Sequence, residues 1–160
     1  MTGVVVVVAL ACAVVALAAV WVRRRYVVVT VHGESMLPTY RPGERLVVRR
    51  VSARSLRDGQ VVVLAGLGHR PPADGQPGER AGDEPDMSPR WIVKRVAAVP
   101  GDPIPRDTVP ALRTAPGTRV PDGHLVVLGD NPERSHDSRH AGYMTTDRLL
   151  GVVLRKVGQP

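Results

Sequence analysis

At 160 residues the chain has room for about one domain, and setting aside an N-terminal apolar run still leaves enough for a modest core. The net charge of +7 comes without a stripe of interleaved basic and aromatic residues and without a nucleic-acid motif, so nucleic acid is excluded as a partner and contact with a membrane surface is favoured. A single cysteine, Cys12, excludes an internal disulfide and sits inside the apolar run, where packing is its expected role. Valine dominates the apolar residues and phenylalanine is absent, which points to β structure. Of 22 basic residues only Lys94 and Lys156 are lysines, so each raises the question of why arginine does not stand there.

The first predicted element is a helix through the apolar run Gly3–Val22. Its 20 residues, at about 1.5 Å each, match a hydrocarbon core of about 30 Å. Trp21 and Arg23 to Arg25 follow as an interfacial flank, giving residues 1–25 as a transmembrane anchor and 26–160 as a β-rich catalytic domain. Ala16-Leu17-Ala18 would suit a cleavable signal peptide, but there is no charged region before the run, and the run is too long. The positive-inside rule places the arginine side in the cytoplasm.

Beyond the anchor, strands are predicted at Tyr26–His32, Arg45–Arg50, Gln60–Ala65, Trp91–Val99, His124–Leu128 and Leu149–Lys156. Turn signals separate them at Pro38, Pro42-Gly43, Asp58-Gly59, Pro100-Gly101 and Pro121-Asp122-Gly123. Residues 66–90, rich in Gly, Pro and charge, read as a mobile surface loop, and 102–118 as a second irregular connection. No segment after the anchor carries a sustained 3.6-residue period, so the expectation is an all-β domain on one membrane helix.

Three segments carry chemistry. Ser35 lies where a valine strand runs out at Gly33 and before Pro38 enforces a turn, a position that displays a hydroxyl; an ordinary turn serine is the plainer alternative. Lys94 shares a strand face with Ile92, Val96 and Ala98, while Arg95 points the other way. A desolvated lysine loses proton affinity and can become a base, which a guanidinium cannot. A snorkelling edge lysine is the competing reading. The third segment, Gly129 to Gly142, crowds small polar residues straight after an apolar strand. Its His136-Asp137-Ser138-Arg139-His140 has the histidine spacing of a helical zinc motif, but Pro132, the neighbouring serines and Gly142 argue against a helix. No third ligand is evident, so no metal is expected. No histidine lies in a nucleophile-elbow context, so a Ser-His-Asp hydrolase is disfavoured.

In order, G-E-S-M-L-P-T, W-I-V-K-R-V-A-A-V-P-G-D and G-D-N-P-E-R-S-H-D-S-R-H-A-G resemble the boxes of the type I signal peptidase family, with Arg57 to Val63 a looser match between the first two. The resemblance covers nearly the whole chain, in a minimal Gram-positive-like form without room for the extra β domain of large members. It implies a membrane-bound serine endopeptidase that removes signal peptides through a Ser-Lys dyad. Ser35 is then the nucleophile, Lys94 the base and Ser135 the group that orients the lysine. Asp137 and Arg139 pair to hold the loop, and Asp130 supports it from its start. Val31, Met36, Ile92 and Val93 line shallow pockets for the small side chains of A-x-A-like sites in precursor proteins. Some members place a hydroxyl two residues before the nucleophile; Gly33 stands there, so the Ser35 N–H carries more of the oxyanion stabilisation. The resemblance also implies a single-pass protein of the cytoplasmic membrane with its domain on the outer face, against the positive-inside rule, and no metal or organic cofactor. The alternative is a membrane-anchored, non-catalytic β domain that binds extended peptides; the complete Ser, Lys and Ser set argues against it.

Overall fold

Valine-rich segments favour strands because a branched Cβ restricts χ1 and packs well on a pleated surface. The computed structural model describes residues 2–66 and 91–158. Its strands are β1 (Tyr26–Thr30), β2 (Arg45–Arg49), β3 (Val61–Ala65), β4 (Trp91–Ala98), β5 (His124–Leu128), β6 (Met144–Thr145) and β7 (Leu149–Val157). Six are the expected strands, with ends within two residues of those read from the sequence. The exception is β6, whose two residues are too few to show alternation.

The strands pair antiparallel in one sheet of order β1-β2-β7-β3-β4-β5-β6. All five residues of β3 are buried, since it is flanked by β7 and β4 and covered on both faces. Its alternation sorts them: Val61 and Val63 join one apolar cluster with Val29, Leu46, Val48 and Leu150, while Val62 and Leu64 join a second with Val96, Leu125, Val127 and Val152. The connection expected at 102–118 is irregular but well packed. Ile104, Val109, Leu112 and Val120 build a third cluster with Ala98 and Val126. The loop expected at 66–90 lies, apart from Gly66, outside the described residues.

The expected N-terminal helix is α1 (Thr2–Arg25), which leads straight into β1. Its side chains at Leu10, Val14, Val15, Leu17 and Trp21 are exposed rather than packed on the sheet. Among the described residues, no helix is long and apolar enough to cross a membrane.

The expectation of no helix near residue 140 is corrected: α2 spans Ser138–Ala141. Asp137 caps it by accepting the Arg139 N–H at 3.0 Å, and Gly142, at φ +72°, ends it. Pro132 does not oppose helical structure either. It begins a separate 3-10 turn, Pro132–Arg134, where a missing N–H is harmless.

Gly151 shows how closely β7 is seated. A Cβ there would collide with the Arg49 carbonyl, which is main chain and cannot swing aside. Gly151→Ala should therefore cost about 1–3 kcal/mol of stability by overpacking, read as a lowered urea midpoint for detergent-solubilised protein; an unchanged midpoint would refute this seating.

Candidate active site

The Ser35 turn is built by backbone constraint. After β1, Val31 exchanges main-chain hydrogen bonds with Glu44 and Gly43, and Gly33 takes φ +78°, a value side chains resist. The chain then coils through Ser35–Thr39, closed by the Tyr40 N–H on the Met36 carbonyl at 2.9 Å. Met36 is buried in the first cluster and anchors the turn, leaving Ser35 half-buried at its start. Among the described hydrogen bonds, the Ser35 N–H has no acceptor.

The loop after β5 grips this turn. The Asn131 N–H donates to the Ser35 carbonyl at 3.0 Å, and the Asn131 side-chain amide donates to the Glu34 carbonyl at 3.2 Å. Thr39 Oγ1 donates to Asp130 at 2.5 Å. Asp130 also accepts two bonds from Arg95, at 2.9 and 2.6 Å, and Arg95 reaches the Gly59 carbonyl at 2.9 Å. One guanidinium thus ties together the Ser35 turn, β4, the turn before β3 and the start of the loop.

Lys94 lies on the opposite face of β4 from Arg95, opposite Val62 of β3 and beside Ile92 and Val96 of the second cluster, as its strand position predicts. Ala98 falls in the third cluster because β4 slips register between Val96 and Ala98. Lys94 is 4% exposed, so the snorkelling reading fails. Its Nζ donates to Ser135 Oγ at 3.0 Å. Ser135 in turn donates to Asp137 Oδ2 at 2.5 Å. Asp137 also accepts the Gly129 N–H at 2.7 Å and faces Arg139 Nη1 at 3.4 Å, while Arg139 Nη2 donates to the Gly129 carbonyl at 2.8 Å. Fully buried Ser138 accepts the Val127 N–H at 2.9 Å and locks α2 to β5.

Gly129 joins the two halves. A Cβ on it would collide both with the Ser135 side chain and with the Ser35 carbonyl, so the two serines flank one Cα that must stay bare. Among the described hydrogen bonds, none runs directly between Ser35 and Lys94; each is tied to this loop, Lys94 through Ser135 and Ser35 through its carbonyl.

Electrostatics follow from burial. Desolvation pushes the Lys94 pKa below the ordinary lysine value; Asp137 opposes that shift and Arg139 assists it. Burial would raise the Asp137 pKa, but the Gly129 N–H, the Ser135 hydroxyl, the Arg139 N–H and the Arg139 charge outweigh it and hold the carboxyl below its ordinary value. Asp130 is also held low, chiefly by its bonds from Arg95.

The structure thus gathers Ser35, Lys94, Ser135, Asp130, Asp137 and Arg139 around one loop. The expected pocket residues divide. Val31, Met36 and Val93 share the first cluster, whereas Ile92 packs against the second. Sequence reasoning did not single out Arg95, Thr39, Asn131 or Ser138. Arg95 alone carried a signal, as a charged residue on the strand face opposite Lys94.

The chain matches the sequence model of the family described as "Signal peptidase, peptidase S26" over residues 1–111 and 105–157. Among curated proteins it is 30% identical over 139 residues to a probable signal peptidase I-1 of Synechocystis, covering 76% of this chain and 65% of that protein. It is 31% identical over 142 residues to the mitochondrial ATP-independent inner membrane protease subunit 1a of Arabidopsis thaliana (85% and 74%). It is also 31% identical over 146 residues to signal peptidase IB of Staphylococcus aureus (78% and 73%). The chain spans under two thirds of the length of the Synechocystis protein.

A carboxylate with a depressed pKa adds stability that is present above its unfolded pKa of about 3.9 and lost as pH falls through the folded value. The denaturation midpoint should therefore drop below about pH 4, and Asp130→Asn should flatten part of that drop. An identical acid slope in the variant would show that the Arg95–Asp130 pair does not contribute.

Proposed function

We propose that this chain, which belongs to the signal peptidase (peptidase S26) family, is a membrane-bound serine endopeptidase that removes signal peptides from exported precursor proteins. One observation carries this reading: Lys94 is a buried amine held by Ser135, on a loop that also holds the main chain of Ser35.

The hydrogen-bond directions support a mechanism. The Ser135 proton is committed to Asp137, so Ser135 Oγ faces Lys94 as an acceptor. A neutral amine that donates to Ser135 keeps its lone pair for another hydroxyl, and Ser35 is the nucleophile on the turn that this loop grips. Lys94 takes the Ser35 proton as Ser35 Oγ bonds to the scissile carbonyl carbon, and the Ser35 N–H stabilises the oxyanion. Lys94 then protonates the leaving amine as the carbon–nitrogen bond breaks, which frees the mature protein. Water, deprotonated by the same amine, attacks the acyl-enzyme, and the released proton returns to Ser35.

The precursor lies extended beside the segments that hold Ser35 and Lys94. Val31, Met36, Ile92 and Val93 shape shallow pockets for the small side chains of an A-x-A-like site. The 20-residue apolar run within α1, exposed at Leu10, Val14, Val15 and Leu17, supports an anchoring role, with Trp21 and its arginines at the interface. The domain then stands on the outer face of a cytoplasmic membrane, where precursors emerge.

Incubating detergent-purified protein with a labelled precursor tests the chemistry. Ser35→Ala should abolish cleavage. Lys94→Arg should slow it by about 10²–10⁴-fold or more, since the guanidinium stays protonated. The wild-type rate should rise with pH as Lys94 deprotonates, levelling off below the ordinary lysine range. Near-normal cleavage by folded Lys94→Arg would overturn the mechanism.

Orientation is read separately. Protease added to intact spheroplasts expressing the chain should digest the domain; protection until lysis would place it in the cytoplasm and refute the export role.

A further inference from the structure

His136 and His140 are the members of the 129–142 segment that the proposed chemistry leaves unused. Both are exposed. Their spacing falls across the Asp137 cap and the single turn of α2, and it brings the two imidazoles together with ring centroids 5.3 Å apart and planes 16° from parallel. The expectation that set these residues aside rested on the absence of a helix and of a third ligand; α2 begins only at Ser138, so it is the Asp137 cap that turns His136 back toward His140.

We propose that His136 and His140 form a surface chelate for a divalent transition-metal ion, taking copper in preference to nickel or zinc. Two metal–nitrogen bonds of about 2.0–2.1 Å can bridge ring nitrogens up to about 4 Å apart, and near-parallel rings at this separation meet that span by turning about their Cβ–Cγ bonds. Both donors are imidazoles, which suits copper, nickel and zinc rather than calcium or magnesium. The nearest cation in sequence, Arg139, is occupied by the Gly129 carbonyl and Asp137. Among the described residues no cluster of three or more metal-ligating side chains forms, so the ion is held by two protein ligands and completes its shell with water. Such an ion is exchangeable rather than structural. Its consequence is local: His136 stands between Ser135 and Asp137, and tying it to α2 fastens the segment that holds Lys94.

Calorimetric titration of tag-free, detergent-solubilised protein with copper(II) chloride, and separately with nickel chloride, tests the site without reference to peptidase activity. One ion should bind per chain, copper more tightly than nickel. Either His136→Ala or His140→Ala should weaken binding by about 10²-fold as the chelate is lost. His124→Gln should leave it unchanged. Electron paramagnetic resonance of the copper complex should report two imidazole nitrogens in the wild type and one in each single variant. Equal affinity in either alanine variant, loss of binding in His124→Gln, or no binding at millimolar copper would overturn the proposal.

Discussion

The arrangement depends on one buried chain of hydrogen bonds, from Lys94 to Ser135 to Asp137. An amine that is 4% exposed has lost most of its water, and an unpartnered buried polar group costs free energy. Ser135 reduces that penalty by offering the amine a hydroxyl oxygen rather than a carboxylate. Asp137 stands one step further back, where it fixes the Ser135 rotamer. Had the carboxylate met the amine directly, an ion pair would form and the lysine would stay protonated. The serine works as a spacer as much as a ligand.

Two arginine–carboxylate pairs divide the remaining work. Arg139 lies beside Asp137 and offsets its field at Lys94, so the carboxylate can anchor the loop while desolvation still holds the Lys94 pKa down. Arg95 acts on the other face of β4, where its planar fork grips Asp130 by two bonds. Adjacent residues of one strand therefore serve opposite ends: Lys94 is turned into apolar surroundings that lower its pKa, and Arg95 is turned to a half-exposed rim where it pairs with Asp130. Alternation along a strand supplies both from two consecutive positions.

How much of this could be read from the residues depended on range. Strands of valine bounded by Pro-Gly and Asp-Gly turns were legible because propensity and pattern are local, and β3, with five consecutive apolar residues, could scarcely be anything else. The burial of Lys94 was legible for the same reason, since its neighbours at two-residue spacing are apolar. Thr39 and Asn131 were not. Thr39 meets Asp130 across 91 positions of sequence, and no local pattern records such a contact. The helix at Ser138–Ala141 was missed because proline and serine were weighed as breakers, whereas Pro132 sits at a turn start and Asp137 works as a cap. The division of Val93 from Ile92 follows from strand alternation; grouping them by resemblance passed over it.

The order of the sheet also sets when a working site can exist. The last of the seven strands, β7, lies between β2 and β3, so the strands before it form two separate sets: β1 with β2, and β3 with β4, β5 and β6. The Ser35 turn hangs from the first set, and Lys94 belongs to the second. Until β7 arrives, β2 and β3 each present an unpaired edge, and Leu150 and Val152 are missing from the two cores they complete. Contacts this distant in sequence form late and slowly. A ribosome that has delivered every proposed catalytic side chain has therefore not yet delivered the closed sheet that carries them. The closing strand acts as a built-in delay, leaving only the contacts of the 129–137 loop to hold hydroxyl and amine near each other until β7 has been added.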